Sequence, residues 1–337
     1  MHSTRLTRRS ALRYGAGLAS GVLGPTLLTG CGSSASADAF PDRPIQVIIA
    51  YAAGGGTDVG ARILQPYVEA ELGVPIEVVN RPGGGGWSGW NEIVTAEPTG
   101  YVIGFINTPN FMTGYLDPRL GRTEISYENF TPLGNQVTDF SAVAIHPDDD
   151  RFDDLPGVIN HARGQALTVT STGVGSDDHY ASLGLSDRYG TQFDVLHGEG
   201  ASDGITALLG RHVDLAFANV GELKSLHDDG ELKVVGVMAD GRQRSPHLPD
   251  VPTFEEEGFG GFSSWSSRGL AGPANIDPRV VDKLAGAIKR GIQNREHIGQ
   301  LAEQGLAVDY RSPSEHKKML IRDERTTRQL GTKYIWG

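Results

Sequence analysis

The feature that most constrains this chain is a pair of glycine-rich loops, each placed between a short apolar run and a helical stretch. From Ile45 to Gly89 the sequence reads IQVIIAYAAGGGTDVGARILQPYVEAELGVPIEVVNRPGGGGWSG. The apolar runs at residues 46–50 and 76–79 are typical of buried parallel strands, and glycine lets backbone amides turn toward a ligand at a helix N-terminus. The two loops are separated by about thirty residues, as successive strand–helix units require. Two such loops at one sheet edge predict an anion-binding crevice in an open α/β sheet.

The same alternation of strands and helices continues along the chain. Further apolar runs predict strands at residues 101–106, 130–135, 141–145, 167–170, 193–196, 213–218, 232–237 and 265–271. Polar loops that contain glycine follow two of these runs, at residues 171–179 and 197–203, and have the composition of anion-binding turns. We interpret residues 141–145 as the crossing from a first lobe into a second.

The first thirty residues predict an export signal rather than part of the fold. Residues 7–13, TRRSALR, match a twin-arginine leader, and residues 28–31, LTGC, match a bacterial lipobox. The lipobox predicts that Cys31, the only cysteine of the chain, carries a lipid. The alternatives are a stray buried thiol and a transmembrane anchor, but glycines and Pro25 interrupt the apolar run before it reaches the ~20 residues of a membrane span. Residues 31–39 are predicted to be a flexible tether.

The charge of the chain bears on the class of partner. The full sequence has 30 basic and 41 acidic residues; the leader holds four arginines and no acid, so 26 basic residues remain and the net charge is near −15. Such an acidic chain is not expected to bind nucleic acid. A small anionic ligand is still compatible, because a local ring of backbone amides can hold a carboxylate whatever the global charge.

Seven short motifs follow one another along the mature chain and carry a family resemblance. They are FPDRPI at 40–45, AGGGTD at 53–58, NRPGGGG at 80–86, PTGY at 98–101, ALLGRHVD at 207–214, RSPHLPDVPT at 244–253 and GPAN at 272–275. In this order and spacing the chain resembles the solute receptors of tripartite tricarboxylate transporters, also called the TctC or Bug type. The motifs cover nearly all of the mature chain.

The resemblance implies a fold and a function. The fold would be a two-lobed α/β fold of the periplasmic-binding-protein type II kind, with a mixed sheet flanked by helices in each lobe and the ligand cleft between the lobes. Lobe 1 is then expected at residues 40–140 and 263–337, and lobe 2 at residues 141–262. The protein would be a monomeric cell-envelope lipoprotein that captures a small carboxylate and delivers it to a multi-pass membrane permease, without catalysis or a cofactor. No metal site is expected, because the histidines show no metal-ligand spacing.

The resemblance also implies ligand contacts from four loops, carried over by position. In lobe 1 the predicted contacts are Ala52, Ala53, Gly54, Gly55, Thr57, Asp58, Gly85, Gly86 and Trp87. In lobe 2 they are Ser171, Thr172, Gly173, Gly175, Ser176, His179, Glu199, Gly200 and Ala201. For Asp58 the alternative is charge compensation at a helix start, and for His179 it is a structural hydrogen bond.

Two departures from the family pattern bear on the ligand. Glu199 stands where the family usually has lysine, and Trp87 stands where it often has asparagine. A carboxylate at position 199 would oppose a second negative charge on the ligand or recruit an amine. We therefore expect a monocarboxylate, an amphoteric solute or an aromatic acid rather than a tricarboxylate. Trp87 would stack on such a solute, with packing at the rim of the lobe as the alternative.

The competing class is a nucleotide-dependent α/β enzyme of the cell envelope. Residues 54–60, GGGTDVG, would then be a variant of the dinucleotide-binding fingerprint. Their spacing differs from G-x-G-x-x-G, and the second strand ends in VVNR without the acidic residue that such a site needs. A scaffold or adhesion lipoprotein would not need four glycine loops at one crevice. The sequence therefore favours the receptor.

Overall fold

The computed structural model describes residues 39–122, 124–239, 241, 243–261 and 263–337. The predicted leader, Cys31 and the tether up to residue 38 lie outside the described residues. Within the part that is described, no helix has the length and apolar character needed to cross a membrane.

The described residues form ten strands and ten α-helices. In chain order they are β1 (Ile45–Ile49), α1 (Gly56–Leu72), β2 (Ile76–Asn80), α2 (Trp87–Thr95), β3 (Val102–Thr108), α3 (Asn110–Leu116), β4 (Phe130–Ile145), α4 (Leu155–Gly164), β5 (Leu167–Ser171), α5 (Asp177–Tyr189), β6 (Phe193–His197), α6 (Ala201–Leu209), β7 (Leu215–Asn219), α7 (Val220–Asp228), β8 (Lys233–Val237), β9 (Trp265–Pro273), α8 (Pro278–Ile292), α9 (Arg295–Glu303), β10 (Val308–Arg311) and α10 (Pro313–Gly331).

The first lobe is built on a mixed sheet. β1 lies between β2 and β3 and pairs with both in parallel, while β9 is antiparallel to both β3 and β4. α1 buries Ala61, Leu64, Val68 and Leu72, which recur at the helical period, and packs with α8 against one face of the sheet. A second apolar cluster, around Trp90 on α2 and the neighbouring α3, covers the other face.

The second lobe has its own mixed sheet. β5 pairs in parallel with β6 and β7, and the end of β4 pairs antiparallel with β7 and β8. Its core has two apolar clusters, one centred on α6 and α7 and the other on α4 and α5. The sheets thus place the carboxyl ends of the parallel strands of both lobes, and the loops that follow them, toward one cleft.

β4 joins the two sheets. The sequence predicts two strands here, at 130–135 and 141–145, but the structure has one strand of 16 residues. The prediction was wrong because the polar residues between them are buried and hydrogen-bonded rather than looped out: the Gln136 side chain, for example, donates to the Gly60 carbonyl at 2.9 Å.

The pairing of β4 changes between Phe140 and Ser141. Phe140 is opposite Trp265 on β9, whereas Ser141 is opposite Asn219 on β7. The second connection between the sheets runs alongside, since the Ser141 amide donates to the Ser264 carbonyl at 2.9 Å. The predicted lobe boundaries, after residues 140 and 262, remain predictions, but both lie next to this hydrogen bond.

Candidate ligand-binding cleft

The four glycine loops face one another in pairs across the cleft between the lobes. The loop after β1 meets the loop after β6, since a Cβ built on Gly200 would lie 3.7 Å from the Ala52 Cβ. The loop after β2 meets the loop after β5, where a Cβ on Gly173 would lie 3.4 Å from the Gly85 Cα. Each loop of the first lobe therefore has a counterpart in the second.

The loop after β2 shows why its glycines are required. Gly83, Gly84, Gly85 and Gly86 all have positive φ, between 61° and 127°. A side chain at any of these positions would be strained, because L-residues rarely adopt such conformations. The run thus forms a tight turn that ends directly at Trp87, the first residue of α2.

Hydrogen bonds across the cleft hold the lobes in a closed arrangement. Thr113 on α3 donates to the Gly175 carbonyl at 2.8 Å, and its hydroxyl lies 2.9 Å from the Tyr180 hydroxyl of α5. At the start of α1, the Gly56 amide donates to Glu222 Oε1 of α7 at 3.2 Å. A Cβ on Gly175 would lie 2.0 Å from Thr113 Cγ2, so this approach of the lobes depends on glycine.

A small cavity lies between the lobes beside the start of α1. Four of the predicted contacts line it: Gly55, Thr57, Thr172 and Ala201. Nine other residues complete the lining: Tyr51, Gly56, Asn107, Asn110, Asp177, Asn219, Glu222, Ser266 and Arg268. The chemistry of the cavity therefore comes largely from residues that the sequence did not single out.

Arg268 on β9 is the one cation among the described residues that line this cavity. Its side chain is 2 % exposed, and its Nη2 donates to Asp139 Oδ2 and Asn219 Oδ1, both at 3.1 Å. Its Nε and Nη1 have no hydrogen-bond partner. Buried polar groups normally have partners, so two free donors on a buried guanidinium mark a place for an anionic group.

The guanidinium lies directly against the first residue of α1. A Cβ built on Gly56 would lie 2.4 Å from Arg268 Nη1 and 2.8 Å from Cζ. Glycine at position 56 therefore makes room for the arginine beside the N-terminus of α1. The helix dipole and the guanidinium both favour negative charge at this place.

Four buried carboxyl groups surround the same region. Asp139, Asp177 and Asp178 are at most 3 % exposed, and the Glu222 side chain is 10 % exposed. Burial raises the pKa of Asp139 to about 7, although Arg268 opposes this rise. Burial also raises the pKa values of Asp177 and Asp178. Acid groups thus outnumber the single guanidinium here.

Two asparagines at the carboxyl side of β3 contribute further polar atoms. Asn107 Nδ2 donates to Thr57 Oγ1 at 2.8 Å, and Asn110 Nδ2 donates to the Tyr51 hydroxyl at 2.8 Å. The Oδ1 atoms of both asparagines have no partner. Burial, with the charge of Asp177, raises the pKa of the Tyr51 phenol well above its usual value, so that it stays neutral.

Asp58 organises the first loop instead of lining the cavity. Its carboxylate accepts from the Gly54 amide, from Asn80 Nδ2 and from the Arg62 guanidinium, each at 3.0 Å. Burial acts to raise the pKa of Asp58, but these hydrogen bonds outweigh it and the pKa is lowered. This geometry agrees with the structural alternative weighed for Asp58.

Three other predicted contacts have different surroundings from those expected. His179 Nδ1 accepts from the Gly175 amide at 2.9 Å, and burial lowers its pKa to about 4, so the ring is a neutral support for its loop. Trp87 stacks on Phe111 with ring centroids 6.3 Å apart. Glu199 is exposed. None of these three side chains lines the cavity.

The remaining predicted contacts lie in the loops around the cavity without lining it. They are Ala52, Ala53, Gly54, Gly85, Gly86, Ser171, Gly173, Gly175, Ser176 and Gly200. Ser171 hydrogen-bonds His197 Nδ1 at 2.6 Å, and Ser176 caps α5 by accepting from the His179 amide. Contact of these residues with a ligand stays a prediction.

Comparison with known proteins places this cleft in a family. A family model described as the tripartite tricarboxylate transporter family receptor, TctC, matches residues 60–331. The chain belongs to this family. The relationship predicted from the seven motifs is therefore confirmed.

Individual TctC relatives support the assignment. The chain is 29 % identical over 313 residues to the "UPF0065 protein in gbd 5'region" of Cupriavidus necator, covering 92 % of both chains. It is 28 % identical to a TctC solute binding protein from Polaromonas, with a TM-score of 0.63 over 87 % of this chain and 99 % of that one. MatC from Rhodopseudomonas palustris, solved with bound malate, is 24 % identical, with a TM-score of 0.78 over 86 % of this chain and 99 % of that one. The predicted two-lobed binding-protein fold is confirmed.

A larger cavity lies in this TctC receptor on the side of α10 and α5. Leu330, Tyr180 and Trp265 contribute to its wall, and Asp177 lines both cavities. None of the predicted contact residues lines it. We place the candidate site in the smaller cavity, because only there do the glycine loops, the start of α1 and a buried cation meet.

The lining residues that sequence reasoning missed in this receptor left weak signals. Arg268 interrupts a run predicted to be a buried strand, and a buried charge needs a partner. Asn107 and Asn219 stand at the carboxyl ends of β3 and β7, where open sheets bind ligands. Glu222 carried no such signal, because it reads as an ordinary first-turn residue of α7.

Proposed function

We propose that this protein is an exported receptor that closes around a small carboxylate and delivers it to a multi-pass membrane permease of the tripartite type. The observation that carries the proposal is the buried guanidinium of Arg268, whose Nε and Nη1 lack partners in the cavity beside the start of α1. Nε and Nη1 lie on different edges of the planar guanidinium, so a carboxylate can accept from either of them, but not from both at once.

Family membership supports this interpretation of the cleft. MatC, which has the same fold, was solved with malate, a small carboxylate. We propose that the ligand of this chain also lies between the lobes, and that the amides around Gly55 and Ala201 supplement Arg268, directly or through ordered water.

The proposal includes a place in the cell envelope. The twin-arginine leader would export the chain, and a lipid on Cys31 would hold it at a membrane. The receptor would act as a monomer. The lobes would open and close about residues 141–145 and the neighbouring segment at Ser264, where β4 and the second connection are hydrogen-bonded.

Thermal-shift screening with small mono-, di- and tricarboxylates tests the proposal. A ligand present at a hundred times its Kd stabilises the native state by about 2.7 kcal/mol, which is a shift of several degrees for a protein of this size. If no carboxylate stabilises the protein, the proposed function is wrong.

Arg268→Lys sharpens the test. Lysine keeps a positive charge beside Asp139 but loses the planar fork, so carboxylate affinity should fall roughly 10- to 100-fold. Arg325→Lys on α10 is the matched control, because Arg325 is exposed. Titration calorimetry of both variants measures the effect; equal affinities would remove Arg268 from the site.

We propose further that the protein is not an enzyme. At the place where a dinucleotide-binding loop would hold a pyrophosphate, Gly56 N donates to Glu222 and the guanidinium of Arg268 lies against Gly56. Residues 200–204 read GASDG, which matches the G-x-S-x-G pattern of hydrolases, but among the described hydrogen bonds none joins Ser202 Oγ to a histidine. An ultraviolet absorbance scan of the purified protein tests for bound nucleotide.

A further inference from the structure

The cavity and its surroundings contain more acidic groups than a receptor for a simple carboxylate needs. Asp139 and Glu222 lie 3.1 and 3.5 Å from Arg268 Nη2, so the one guanidinium already has two acidic neighbours. Asp177 and Asp178 form no ion pair with any described residue. Burial raises the pKa values of these two carboxyl groups, so a bound cationic group would favour their ionised forms, whereas a ligand with only negative groups would not.

Unpartnered oxygen atoms in the same place call for hydrogen-bond donors. Asn107 and Asn110 line the cavity, are 2 % and 8 % exposed, and leave their Oδ1 atoms without partners. Asp178, which is 1 % exposed and lies behind Thr172 without itself lining the cavity, leaves Oδ1 without a partner as well. Leaving a buried acceptor unpaired is costly, so a bound group that donates several hydrogen bonds would be favoured here.

Hydrogen bonds connect Asn110 and Asp178 through one hydroxyl. Thr172 Oγ1 donates to Asp178 Oδ2 at 3.0 Å and accepts from Asn110 Nδ2 at 3.4 Å. Asn110 Nδ2 also donates to the Tyr51 hydroxyl. These residues, from both lobes, therefore form one acceptor-rich wall. A primary ammonium, with three donors and a positive charge, matches it.

Asn219 links this wall to the guanidinium. Its Oδ1 accepts from Arg268 Nη2 at 3.1 Å, and its Nδ2 donates to Asp177 Oδ2 at 2.8 Å. The cationic and acidic sides of the cavity are thus separated by the width of one amide group. A ligand that reaches both must carry its two charged groups close together.

We propose that the ligand is a small amino acid whose carboxylate binds Arg268 and whose ammonium binds Asn110 and Asp177, with the Asp178 carboxyl group behind Thr172. The inference rests on the proposed function and names the class of its ligand. The amine recognition comes from Asp177 and Asp178, and not from the exposed Glu199 on which the sequence-based expectation of an amphoteric solute depended.

Calorimetric titration with pairs of compounds that share a carbon skeleton tests the inference. The pairs are propionate and alanine, succinate and aspartate, and glutarate and glutamate. At least one amino acid should bind about tenfold or more tightly than its amine-free partner. If carboxylates bind and the amine adds no affinity, the inference is wrong while the proposed function stands. If neither member of any pair binds but another carboxylate of the thermal-shift screen does, the inference is wrong and the proposed function stands. If no carboxylate of that screen binds either, both fail.

Asp178→Asn tests the assigned wall. Asparagine keeps an oxygen for Thr172 but cannot become negatively charged when an ammonium binds nearby, so the preference for the amino acid should fall about tenfold. Asp194→Asn, on exposed β6, is the matched control and should keep the preference. If Asp178→Asn does not fold, Asn110→Leu should lose the preference instead. An unchanged preference in the folded variant would overturn the assignment.

Discussion

Gly56→Ala is the sharpest perturbation of the cleft, because it acts on Arg268 without touching its charge. The new methyl group would lie 2.4 Å from Nη1 and 2.8 Å from both Cζ and Nη2, whereas ordinary contact begins at 3.4 Å. The guanidinium must therefore retreat by about 1 Å. It cannot do so freely, because it is 2 % exposed and its Nη2 is fixed by Asp139 and Asn219, both at 3.1 Å.

The size of the effect follows from the bonds that this retreat would break. A hydrogen bond to a charged group contributes about 1.5–3 kcal/mol, and overpacking in a core costs about 1–3 kcal/mol. Losing one of the two Nη2 bonds and keeping part of the strain gives a destabilisation of roughly 2–5 kcal/mol. Carboxylate binding should weaken at the same time, since Nε and Nη1 move with the rest of the group.

Urea unfolding followed by tryptophan fluorescence measures the free energy of unfolding. Gly299→Ala is the control, because Gly299 lies inside α9 with no atom within 4 Å of its added Cβ. That variant should be unchanged or stabilised by up to about 1 kcal/mol. If Gly56→Ala were as stable as Gly299→Ala and bound carboxylates normally, the placement of Arg268 over the start of α1 would be refuted.

Two further predictions concern closure and pH. Thr113→Val removes the buried donor to the Gly175 carbonyl and the partner of the Tyr180 hydroxyl, which should destabilise the closed form by about 1–3 kcal/mol. The ligand-free variant should therefore have a larger radius of gyration than the wild type in X-ray scattering. An unchanged radius of gyration would contradict this prediction. Burial lowers the pKa of His316 to about 3. The unfolded chain therefore binds a proton below about pH 6.5 that the native state does not, and stability is lost as pH falls. Between pH 7 and 5 the wild type should lose about 2 kcal/mol relative to His316→Gln, while substitution of the exposed His212 should give no such difference.

The glycine loops were predictable because their requirements are local. A residue with positive φ, as at Gly83 to Gly86, restricts the sequence at that position whatever surrounds it. The apolar periods of the strands and of α1 are equally local. The strand prediction was wrong at β4, which it divided in two, and it did not include β10. In β4, polar residues such as Gln136 are buried with partners from elsewhere in the fold, which no local pattern reveals.

The sequence by itself determined the family, the two-lobed fold and the loops that face the cleft, because motif order, glycine conformation and apolar period can be read along the chain. Only the tertiary structure decided the chemistry of the cavity. Three residues that are far apart in the chain meet there: Arg268 of β9, Gly56 of α1 and Glu222 of α7. The sequence does not distinguish a buried arginine from an exposed one. Burial and pairing give these residues their charge states and free hydrogen-bonding groups, and both arise only when the chain folds and brings distant segments together.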